Sequence, residues 1–575
     1  MTATKTYQMK TILKNQNTLL FNINNLKISF ILLFLFAGVF MSFKSKNNSE
    51  YDIVVYGETA SGVMAAIQGA RMGKNVVLVS KNSHVGGMAT SGLTATDMNR
   101  NTLVGGIAKE FYHNIYNYYL KPDAWKNQDR DSYMQSTLKR TYTGRNEALK
   151  IQWVYESHVG EKIMLDMLKN ADVTILFNER LDLAKKPMMN NTQIRTIHME
   201  SGKEITGKVF IDATYEGDLM AKAGVSYTVG REANSKYNET LNGIRINEEG
   251  PNLPLLSKVD PYVIEGVPTS GLLPFIQPKI YGKNGEADNK VQTYNFRVTL
   301  TNDPNNRIPI EKPANYNPLL HEVLARRLQV EPGLTLQKIV SLTPMPNKKT
   351  DSNFMNLFGA SYTYPEGDYT MRATLDQLHK EYALGMLWFL ANDPRVPKHI
   401  SDEIQEWGLP KDEFLDSGNF PYQIYVREAR RMVGPFVMTE HNVKKENKEF
   451  APESIGLGSY AMDCHYVARV VDNDGILRNE GTIFVPTTPY PISFKSITPF
   501  ESECTNLLVP ICLSASHVAF ASLRMEPVYM ILGQSAGTVA AMAIDGKSNV
   551  QDVSYKKLSK RLLKDGQILS VPDIK

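Results

Sequence analysis

The stretch Tyr51–Ser80 constrains the fold more than any other part of the 575-residue chain. It begins with Asp52–Tyr56, a nearly continuous apolar run that is typical of a parallel strand buried on both faces. The turn Gly57–Gly62 follows and leads into a segment rich in small residues. A second β-branched run, Val76–Val79, completes a unit of about 30 residues. The stretch therefore predicts a βαβ unit within an α/β fold.

The helix of this unit is predicted to have a stripe of small residues that lets it lie close against a sheet. The first N–H groups of a helix have no partner inside it, so they favour an anion over the preceding turn. In a βαβ unit that anion is usually the pyrophosphate of a dinucleotide. The small residues are Gly62, Ala65, Ala66, Gly69 and Ala70.

The turn departs from the usual dinucleotide fingerprint, G-x-G-x-x-G, because Thr59 stands where the middle glycine is expected. The acidic residue that usually follows the second strand and binds the ribose is replaced by Ser80. Threonine is small and its hydroxyl can donate to a phosphate, so we expect the turn to keep its function. Ser80 and Lys81 would then bind the ribose. A βαβ unit that binds no nucleotide is the alternative.

Composition excludes several classes of function. A net charge of +4 over 575 residues gives no electrostatic basis for nucleic-acid binding. The three cysteines, Cys464, Cys504 and Cys512, form neither a disulfide framework nor a C-x-x-C pair. No three candidate ligands are brought into known proximity by the sequence, and we predict no metal site.

The first 49 residues have the order of a secretory leader. Residues 1–27 contain four lysines and no acidic residue, and residues 28–43 form a largely apolar run. That run is short for a membrane span, which needs about 20 residues, but no clear small-residue cleavage site follows it. We therefore predict a signal peptide or an N-terminal membrane anchor over 1–49. Either one predicts an exported protein that is periplasmic or membrane-anchored.

Regular elements and a second glycine-rich turn are predicted between residues 81 and 235. Gly86 and Gly87 let the backbone pass close to a phosphate or a bulky planar group. A buried strand starting at Val209 leads through a polar turn into a helix. The other predicted elements are helices over 107–119 and 156–170, a strand over 173–177, and a hairpin of 195–199 and 204–209.

The C-terminal run from 507 to 543 is the second most informative stretch. We predict a buried strand over 507–513, with His517 near its carboxyl end, where ligands of open α/β sheets bind. A helix over 530–543 follows. Just before it, His517 is predicted to exchange a proton near neutral pH, and Arg524 to hold a substrate oxyanion. The alternatives are that His517 caps a loop and that Arg524 pairs with Glu526.

Together these segments resemble the FAD-dependent oxidoreductases of the two-dinucleotide-binding, glutathione-reductase-like fold. The resemblance is closest to an exported bacterial branch, some of whose members are labelled xanthan lyase. It covers nearly the whole chain after residue 50, with the segments in the same order. These segments are Gly57–Gly62, His84–Met88, Phe210–Asp218, Gly230–Glu232, Tyr425–Gly434 and the run 507–543.

The resemblance implies that FAD is the cofactor, with its pyrophosphate at the first turn and its flavin near the second. It also implies that the start of the C-terminal helix lies beside the pyrimidine end of the flavin, where the helix dipole favours negative charge. Thr59 and Ser80 depart from the family pattern at the ribose and pyrophosphate contacts. The predicted cofactor-binding residues are Gly57, Thr59, Ala60, Ser61, Gly62, Ser80, Lys81, Gly86, Gly87, Met88, Asp212, Gly533, Gln534 and Gly537.

Residues 236–494 are rich in proline and break the alternation of strands and helices. Helices are predicted over 371–391 and 422–434, and the second would place Arg427 on one face with Arg430 or Arg431. Such a face suits an anionic substrate or a flavin oxygen, whereas ion pairs with neighbouring acids are the alternative. In the same region, Asp463 and His465 would point the same way on a strand and form an acid–base pair.

We therefore predict an α/β fold with an FAD-binding, Rossmann-like domain and an inserted α+β substrate domain. The FAD domain would consist of residues 50–235 and 495–575, and the substrate domain of residues 236–494.

The predicted function is FAD-dependent hydride transfer between a small polar organic substrate, such as a sugar or hydroxy acid, and flavin. Arg427, Arg524 and His517 are the predicted catalytic residues. No complete second fingerprint for NAD(P)H is visible, so oxygen, a quinone and other carriers stay open as electron acceptors. One alternative is a polysaccharide lyase of the xanthan type that uses Tyr425, His441 or His465. The other is a non-catalytic carbohydrate-binding protein on the same fold.

Overall fold

The computed structural model describes residues 50–571 apart from 99, 139–143, 246–255, 447 and 473. The predicted signal peptide or anchor, residues 1–49, lies outside the described residues, and export stays a prediction. The α-helices are α1 (Ala60–Arg71), α2 (Gly106–Tyr118), α3 (Arg130–Leu138), α4 (Ser157–Asn170), α5 (Asp218–Lys222), α6 (Asn234–Tyr237), α7 (Glu322–Val330), α8 (Leu336–Val340), α9 (Tyr369–Asn392), α10 (Lys398–Gln405), α11 (Glu440–Val443), α12 (His517–Leu523), α13 (Glu526–Gly546) and α14 (Tyr555–Lys564).

The strands are short outside the central sheet. They are β1 (Tyr51–Tyr56), β2 (Val76–Val79), β3 (Arg145–Asn146), β4 (Ile151–Gln152), β5 (Thr174–Leu176), β6 (Met188–Asn190), β7 (Gln193–His198), β8 (Glu204–Asp212), β9 (Tyr227–Thr228), β10 (Ile276–Gln277), β11 (Val298–Thr301), β12 (Arg307–Ile308), β13 (Thr343–Met345), β14 (Lys349–Ser352), β15 (Leu409–Pro410), β16 (Arg431–Met432), β17 (Ser454–Gly458), β18 (Met462–Cys464), β19 (Ala468–Val471), β20 (Leu477–Glu480), β21 (Ile483–Val485), β22 (Tyr490–Ser493) and β23 (Leu507–Leu508).

The central sheet has the order β5-β2-β1-β8-β7-β6, and β23 also pairs with β8. The pairs β5–β2, β2–β1, β1–β8 and β8–β23 are parallel, whereas β7 is antiparallel to its neighbours. Val55 of β1 lies opposite Leu78 on one side and Ile211 on the other, and all three are fully buried. The sheet confirms the predicted βαβ unit and α/β fold class. It also brings the carboxyl ends of β1, β2 and β8 to one edge.

Helix α13 packs directly on helix α1. A β-carbon added at Gly533 would lie 2.1 Å from the backbone oxygen of Ser61, and one added at Gly537 would lie 2.4 Å from that of Ala65. The predicted small-residue stripe of α1 therefore packs on two partners. Ala65 contacts α13, and Gly69 lies against Ile53 in the sheet. This backbone-to-backbone packing fixes the position of α1 and of the turn before it.

Replacing Gly533 by alanine is expected to destabilise the protein by about 3 kcal/mol, because overpacking against a rigid backbone forces the two helices apart. Gly546, at the end of the same helix, is the matched control, since an added β-carbon would meet only the Ser548 hydroxyl at 3.5 Å. Urea denaturation of both variants measures the difference. Equal stability of Gly533→Ala and Gly546→Ala would contradict the packing.

The prediction of a helix over 422–434 is wrong. Tyr425 forms an isolated bridge with Asn295, and Arg431 and Met432 form strand β16, which pairs with β9. The residues from 423 to 432 are all buried, so the groups packed around them have a large influence on their conformation. Partners distant in sequence determine this conformation, and such contacts override local helix propensity. Arg427 and Arg431 consequently bind different partners and do not share a helix face.

Other predicted elements are confirmed with shifted ends, including helices α2, α4 and α9 and the β7–β8 hairpin. The strand predicted over 507–513 is shorter, since only Leu507 and Leu508 join the sheet. Among the described residues, α13 is the one helix long and apolar enough to span a membrane, and 89% of its apolar window is buried in the protein. Helix α13 is apolar because it packs against α1 inside the protein. The predicted domain boundaries near 235 and 495 stay predictions.

Candidate functional site

The turn between β1 and α1 has the geometry of a phosphate cradle. Gly57 has a φ of +117°, and a β-carbon there would lie 2.5 Å from the Ala213 backbone, so only glycine fits. Helix α1 begins beside it, and its first N–H groups have no acceptor in the helix. The buried Ser61 hydroxyl, in the first turn of α1, also has no hydrogen-bond partner. These donors fit the pyrophosphate of a dinucleotide.

Thr59 does not serve the role predicted for its hydroxyl. Its Oγ1 donates to the Ala213 carbonyl at 2.7 Å and accepts from the Gly62 N–H at 3.3 Å. Thr59 is therefore the N-cap of α1 and ties the turn to the end of β8. The threonine that departs from the fingerprint therefore stabilises the turn. The donor groups that remain for a phosphate are those of Ala60 and Ser61.

The second turn, at Gly86 and Gly87, is joined to the start of α13 by one tyrosine. Tyr215 accepts from the Met88 N–H at 3.0 Å and donates to Glu526 Oε1 at 2.8 Å. A β-carbon at Gly87 would lie 2.6 Å from the Tyr215 hydroxyl oxygen. Burial raises the pKa of Glu526 to about 8, and its Oε2 has no partner. This connection brings two of the regions predicted to contact FAD together.

The predicted ribose contacts, Ser80 and Lys81, are engaged with the protein itself. The Ser80 hydroxyl donates to the carbonyls of Asn82 at 2.8 Å and His84 at 3.0 Å. The Lys81 ammonium pairs with Glu216 at 3.0 Å. A carboxylate does lie at this end of β2, but it belongs to Glu58 in the first turn.

The remaining predicted cofactor residues also have roles in holding the fold. Asp212 accepts from the N–H groups of Thr214 and Met220, and burial raises its pKa to about 6. Gln534 accepts from the Ile107 N–H at 2.7 Å. Gly533 and Gly537 form the packing of α13 on α1 described above. Contact of these four residues with FAD stays a prediction.

Two buried arginines lie together without an acidic partner. Arg524 donates to the Tyr425 hydroxyl at 2.6 Å and to the Asp463 carbonyl at 2.7 Å, and Arg427 donates to the Thr293 carbonyl and the Asn295 side chain. Their exposed fractions are 3% and 0%. Among the described residues, no carboxylate oxygen lies within 4.0 Å of either guanidinium, so the predicted Arg524–Glu526 pair is not formed. Each Nε also lacks a partner.

The two guanidinium groups face the same aromatic ring. Their central carbons lie 4.8 Å (Arg427) and 5.6 Å (Arg524) from the centre of the Tyr425 ring. Burial lowers the pKa of Arg427 to about 9, and the positive charge of Arg524 adds to this effect. Burial also opposes the charged form of Arg524, but Tyr425 and Asp463 favour that form more, so the pKa of Arg524, by contrast, is raised. A buried charge without a close acidic partner is costly. The pair therefore has the character of a site for an anion that the protein itself does not provide.

His465 lies beside this arginine pair. Its Nε2 is 3.8 Å from Asp463 Oδ2, as predicted from their alternation, and both side chains keep some exposure, 17% and 24%. Burial lowers the pKa of His465 well below its usual value, and the charges of Arg427 and Arg524 lower it further. A neutral imidazole can accept a proton at neutral pH. The sequence indicates His465 as half of an acid–base pair and as a candidate residue for a lyase; its closeness to the arginines depends on tertiary contacts.

His517 is engaged in an ion pair inside the protein, and its predicted role in proton exchange stays a prediction. It is fully buried at the first position of α12, and its Nδ1 lies 2.7 Å from Glu428 Oε2. Burial alone would lower the pKa of His517, but the Glu428 carboxylate and Cys464 outweigh it and raise the pKa to about 10. In this charged form an imidazole can donate a proton but cannot accept one. His517 therefore forms an ion pair with Glu428, which follows Arg427 directly in the chain.

The His517–Glu428 pair predicts a pH-dependent stability. Because the folded pKa of His517 is raised from 6.5 to about 10, its contribution is fully present below pH 6.5 and is lost as the pH rises towards 10. The double variant His517→Gln/Glu428→Gln lacks this charge pair. We expect the stability of the unmodified protein to fall relative to that variant over this range. Parallel urea titrations that show a constant difference would contradict the assignment.

Among the described residues, one group has the spacing of a metal site: Glu156, His158 and Glu413. The Lys349 ammonium lies 2.8 Å from both carboxylates. This buried cation, together with His158, whose pKa is raised by Glu413, offsets their charge. We therefore assign the group to the packing of β14 and infer no metal from it.

The residues invoked for a lyase are not brought together by any contact among the described residues. His441 Nε2 is bonded to the backbone carbonyls of Tyr237 and Asn238, and its other ring nitrogen lies 3.0 Å from the Lys444 ammonium. The Tyr425 hydroxyl is occupied by Arg524. Tyr425 and His465 both belong to the arginine site, whereas His441 does not.

A family profile described as FAD dependent oxidoreductase matches residues 52–562. No curated protein sequence matches the chain. Among solved structures, L-amino acid deaminase from Proteus vulgaris is 15% identical over 32% of this chain and 52% of its own, with a TM-score of 0.22. L-proline dehydrogenase from P. horikoshii is 14% identical over 32% of this chain and 58% of its own, also with a TM-score of 0.22. The matches thus span little more than half of those chains and carry no weight for substrate or mechanism.

Proposed function

Because the chain belongs to the FAD-dependent oxidoreductase family, we propose that it oxidises a small hydroxyl-bearing organic acid, such as a hydroxy acid or an acidic sugar. The observation that supports this substrate class is the buried pair Arg427 and Arg524, which has no acidic partner within 4.0 Å among the described residues. A carboxylate is the common small anion that matches a guanidinium fork. The substrate would supply the negative charge that the site lacks.

The neighbouring acids do not replace that charge. Asp463 is near both arginines, but Arg524 bonds its backbone carbonyl rather than its carboxylate. Burial raises the pKa of Asp463, and the arginines only partly offset this. Arg297, the other buried arginine near the site, is already paired with Asp351 at 2.7 Å. Of these three buried arginines, Arg427 and Arg524 are therefore the two that can still pair with an anion.

His465 is the proposed general base. Oxidation of an alcohol to a carbonyl removes one hydroxyl proton and one hydride equivalent from the substrate. The neutral imidazole of His465, next to the arginines, can take the proton, and Asp463 Oδ2 lies 3.8 Å from its Nε2. FAD, when bound, accepts the hydride equivalent.

The residues that would hold FAD are those with unused donors or close glycine backbones. The start of α1, with the Ser61 hydroxyl, would bind the pyrophosphate, and Gly86 and Gly87 would lie near the flavin. Tyr215 links this region to Tyr529, whose ring centre is 6.2 Å away. Tyr529 in turn lies within electrostatic range of Tyr425 and Arg524. Buried tyrosines therefore connect the proposed cofactor region to the proposed substrate region.

The experiment is a substrate panel with the purified holoenzyme and an artificial dye as electron acceptor. The panel contains 2-hydroxy acids, aldonic and uronic acids, and the matching neutral sugars. We expect dye reduction with at least one acid and slower reduction with its neutral counterpart. Absence of dye reduction with every member would contradict the proposal, and so would formation of an unsaturated sugar product without dye reduction, which is the signature of a lyase. The natural electron acceptor and export through residues 1–49 stay open.

A further inference from the structure

The turn before α1 contains an acidic side chain that the dinucleotide fingerprint does not require. Glu58 follows Gly57 directly and is 2% exposed. Its Oε2 accepts from the Lys81 N–H at 3.3 Å, and its Oε1 accepts from the Asn82 side chain at 3.0 Å. Both partners come just after β2. The Glu58 carboxylate therefore lies at the carboxyl end of β2, although the residue belongs to the turn after β1.

This is the position in which a dinucleotide-binding βαβ unit usually has its acidic residue, which binds the ribose hydroxyls. In this chain the strand-end residue is Ser80, whose hydroxyl is used by the carbonyls of Asn82 and His84. The Lys81 ammonium is directed to Glu216. Neither side chain offers the ribose a free acceptor, so the missing function falls to another residue.

We propose that Glu58 binds a ribose hydroxyl of the adenosine half of FAD, in place of the acidic residue that is missing at position 80. A carboxylate has about four acceptor positions, and the contacts from Lys81, Asn82 and the N–H of Glu58 itself use three of them. The remaining position can accept from a ribose hydroxyl. Burial raises the pKa of Glu58, and the nearby Lys81 ammonium opposes this and favours the ionised form.

The competing explanation is that Glu58 only ties the segment after β2 to the turn. The two roles differ in what they recognise. If Glu58 has only this structural role, its loss would change the affinity for every flavin ligand by the same factor. If it contacts the ribose, the change in affinity would depend on the hydroxyls of the adenosine. The inference uses the cofactor of the family and is independent of the proposed substrate, so the two can fail separately.

The test is titration of the apoprotein with FAD and with an FAD analogue that has 2′-deoxyadenosine, followed by flavin absorbance. We expect the unmodified protein to bind FAD about tenfold or more tightly than the analogue. Glu58→Ala should weaken FAD binding by a similar factor and abolish the preference. Glu58→Gln, which keeps the shape and one acceptor, should lie in between and guards against loss of folding in the alanine variant.

A relocated carboxylate and a distant one serve as controls. The double variant Glu58→Ala/Ser80→Glu should recover most of the FAD affinity, because the carboxylate returns to the end of β2 in the space that Glu58 leaves. Glu110→Gln changes an exposed carboxylate paired with Arg71 at the far end of α1 and should leave binding unchanged. The proposal is overturned if Glu58→Ala and Glu58→Gln both keep the affinity and the preference for FAD, or if the unmodified protein has no preference.

Discussion

Arg524→Ala is expected to lower kcat/KM for an acidic substrate by about 100-fold or more, which corresponds to ~3 kcal/mol of lost stabilisation. Arg524 is 3% exposed and bonds only neutral groups, the Tyr425 hydroxyl and the Asp463 carbonyl. Its charge is therefore available to a carboxylate in a site from which water is largely excluded. Arg427→Ala should have an effect of the same size, because Arg427 also has no acidic partner.

The matched measurements separate a binding role from a structural one. Arg524→Lys keeps the charge but not the planar fork and should recover only part of the activity. Arg395→Ala is the control, since Arg395 lies at the surface and is paired with Asp393 and Glu322. Steady-state kinetics with the acid and with its neutral counterpart measure the effect. An equal loss for both substrates would contradict an anion site.

His465→Gln is expected to lower kcat by about 100-fold or more, in the range found when a general base is removed. Glutamine fills a similar space but cannot take a proton from the substrate hydroxyl. Because the pKa of His465 is well below its usual value, the unmodified enzyme should keep its base form across the neutral range and lose activity only in acid. The variant should lack that acid limb of the pH profile.

The control for this prediction is His113→Gln, since His113 lies on α2 and its ring nitrogen bonds the Lys150 carbonyl. Both variants are to be measured from neutral to acidic pH with the same substrate. A large loss with an unchanged acid limb would mean that His465 positions its neighbours without taking the proton. Full activity of His465→Gln would exclude it as the base.

The parts of the fold that were predictable from sequence are those defined by local patterns. The β1–α1–β2 unit and helix α13 have small or apolar residues at regular spacing, and that spacing identifies the face that packs. The segment 422–434 has helix-compatible residues, but it is buried on all sides. Two of its arginines, Arg430 and Arg431, pair with Asp218 and Glu232, which are about 200 residues away in the chain. Propensity over a short window has no access to such partners.

The candidate site was predictable only in part for the same reason. Arg427 and Arg524 were identified by type, yet their lack of acidic partners is a property of the tertiary structure. His517 was expected to exchange protons because a lone histidine near a helix has a pKa near neutrality. Its contact with Glu428 across the fold changes that pKa. The fingerprint places the acid after the second strand, so it assigns no role to Glu58 in the turn.

The measurement that tests the central claim most directly is anaerobic mixing of the FAD-loaded enzyme with an acidic substrate and, separately, with the methyl ester of the same compound. Loss of the flavin absorbance reports oxidation of the substrate without any external electron acceptor. The proposed function predicts rapid bleaching by the acid and bleaching at least about tenfold slower by the ester, with the difference reduced in Arg524→Ala. Equal bleaching by both compounds would contradict an acidic substrate. Lack of bleaching by every acid tested would contradict the proposed oxidation itself.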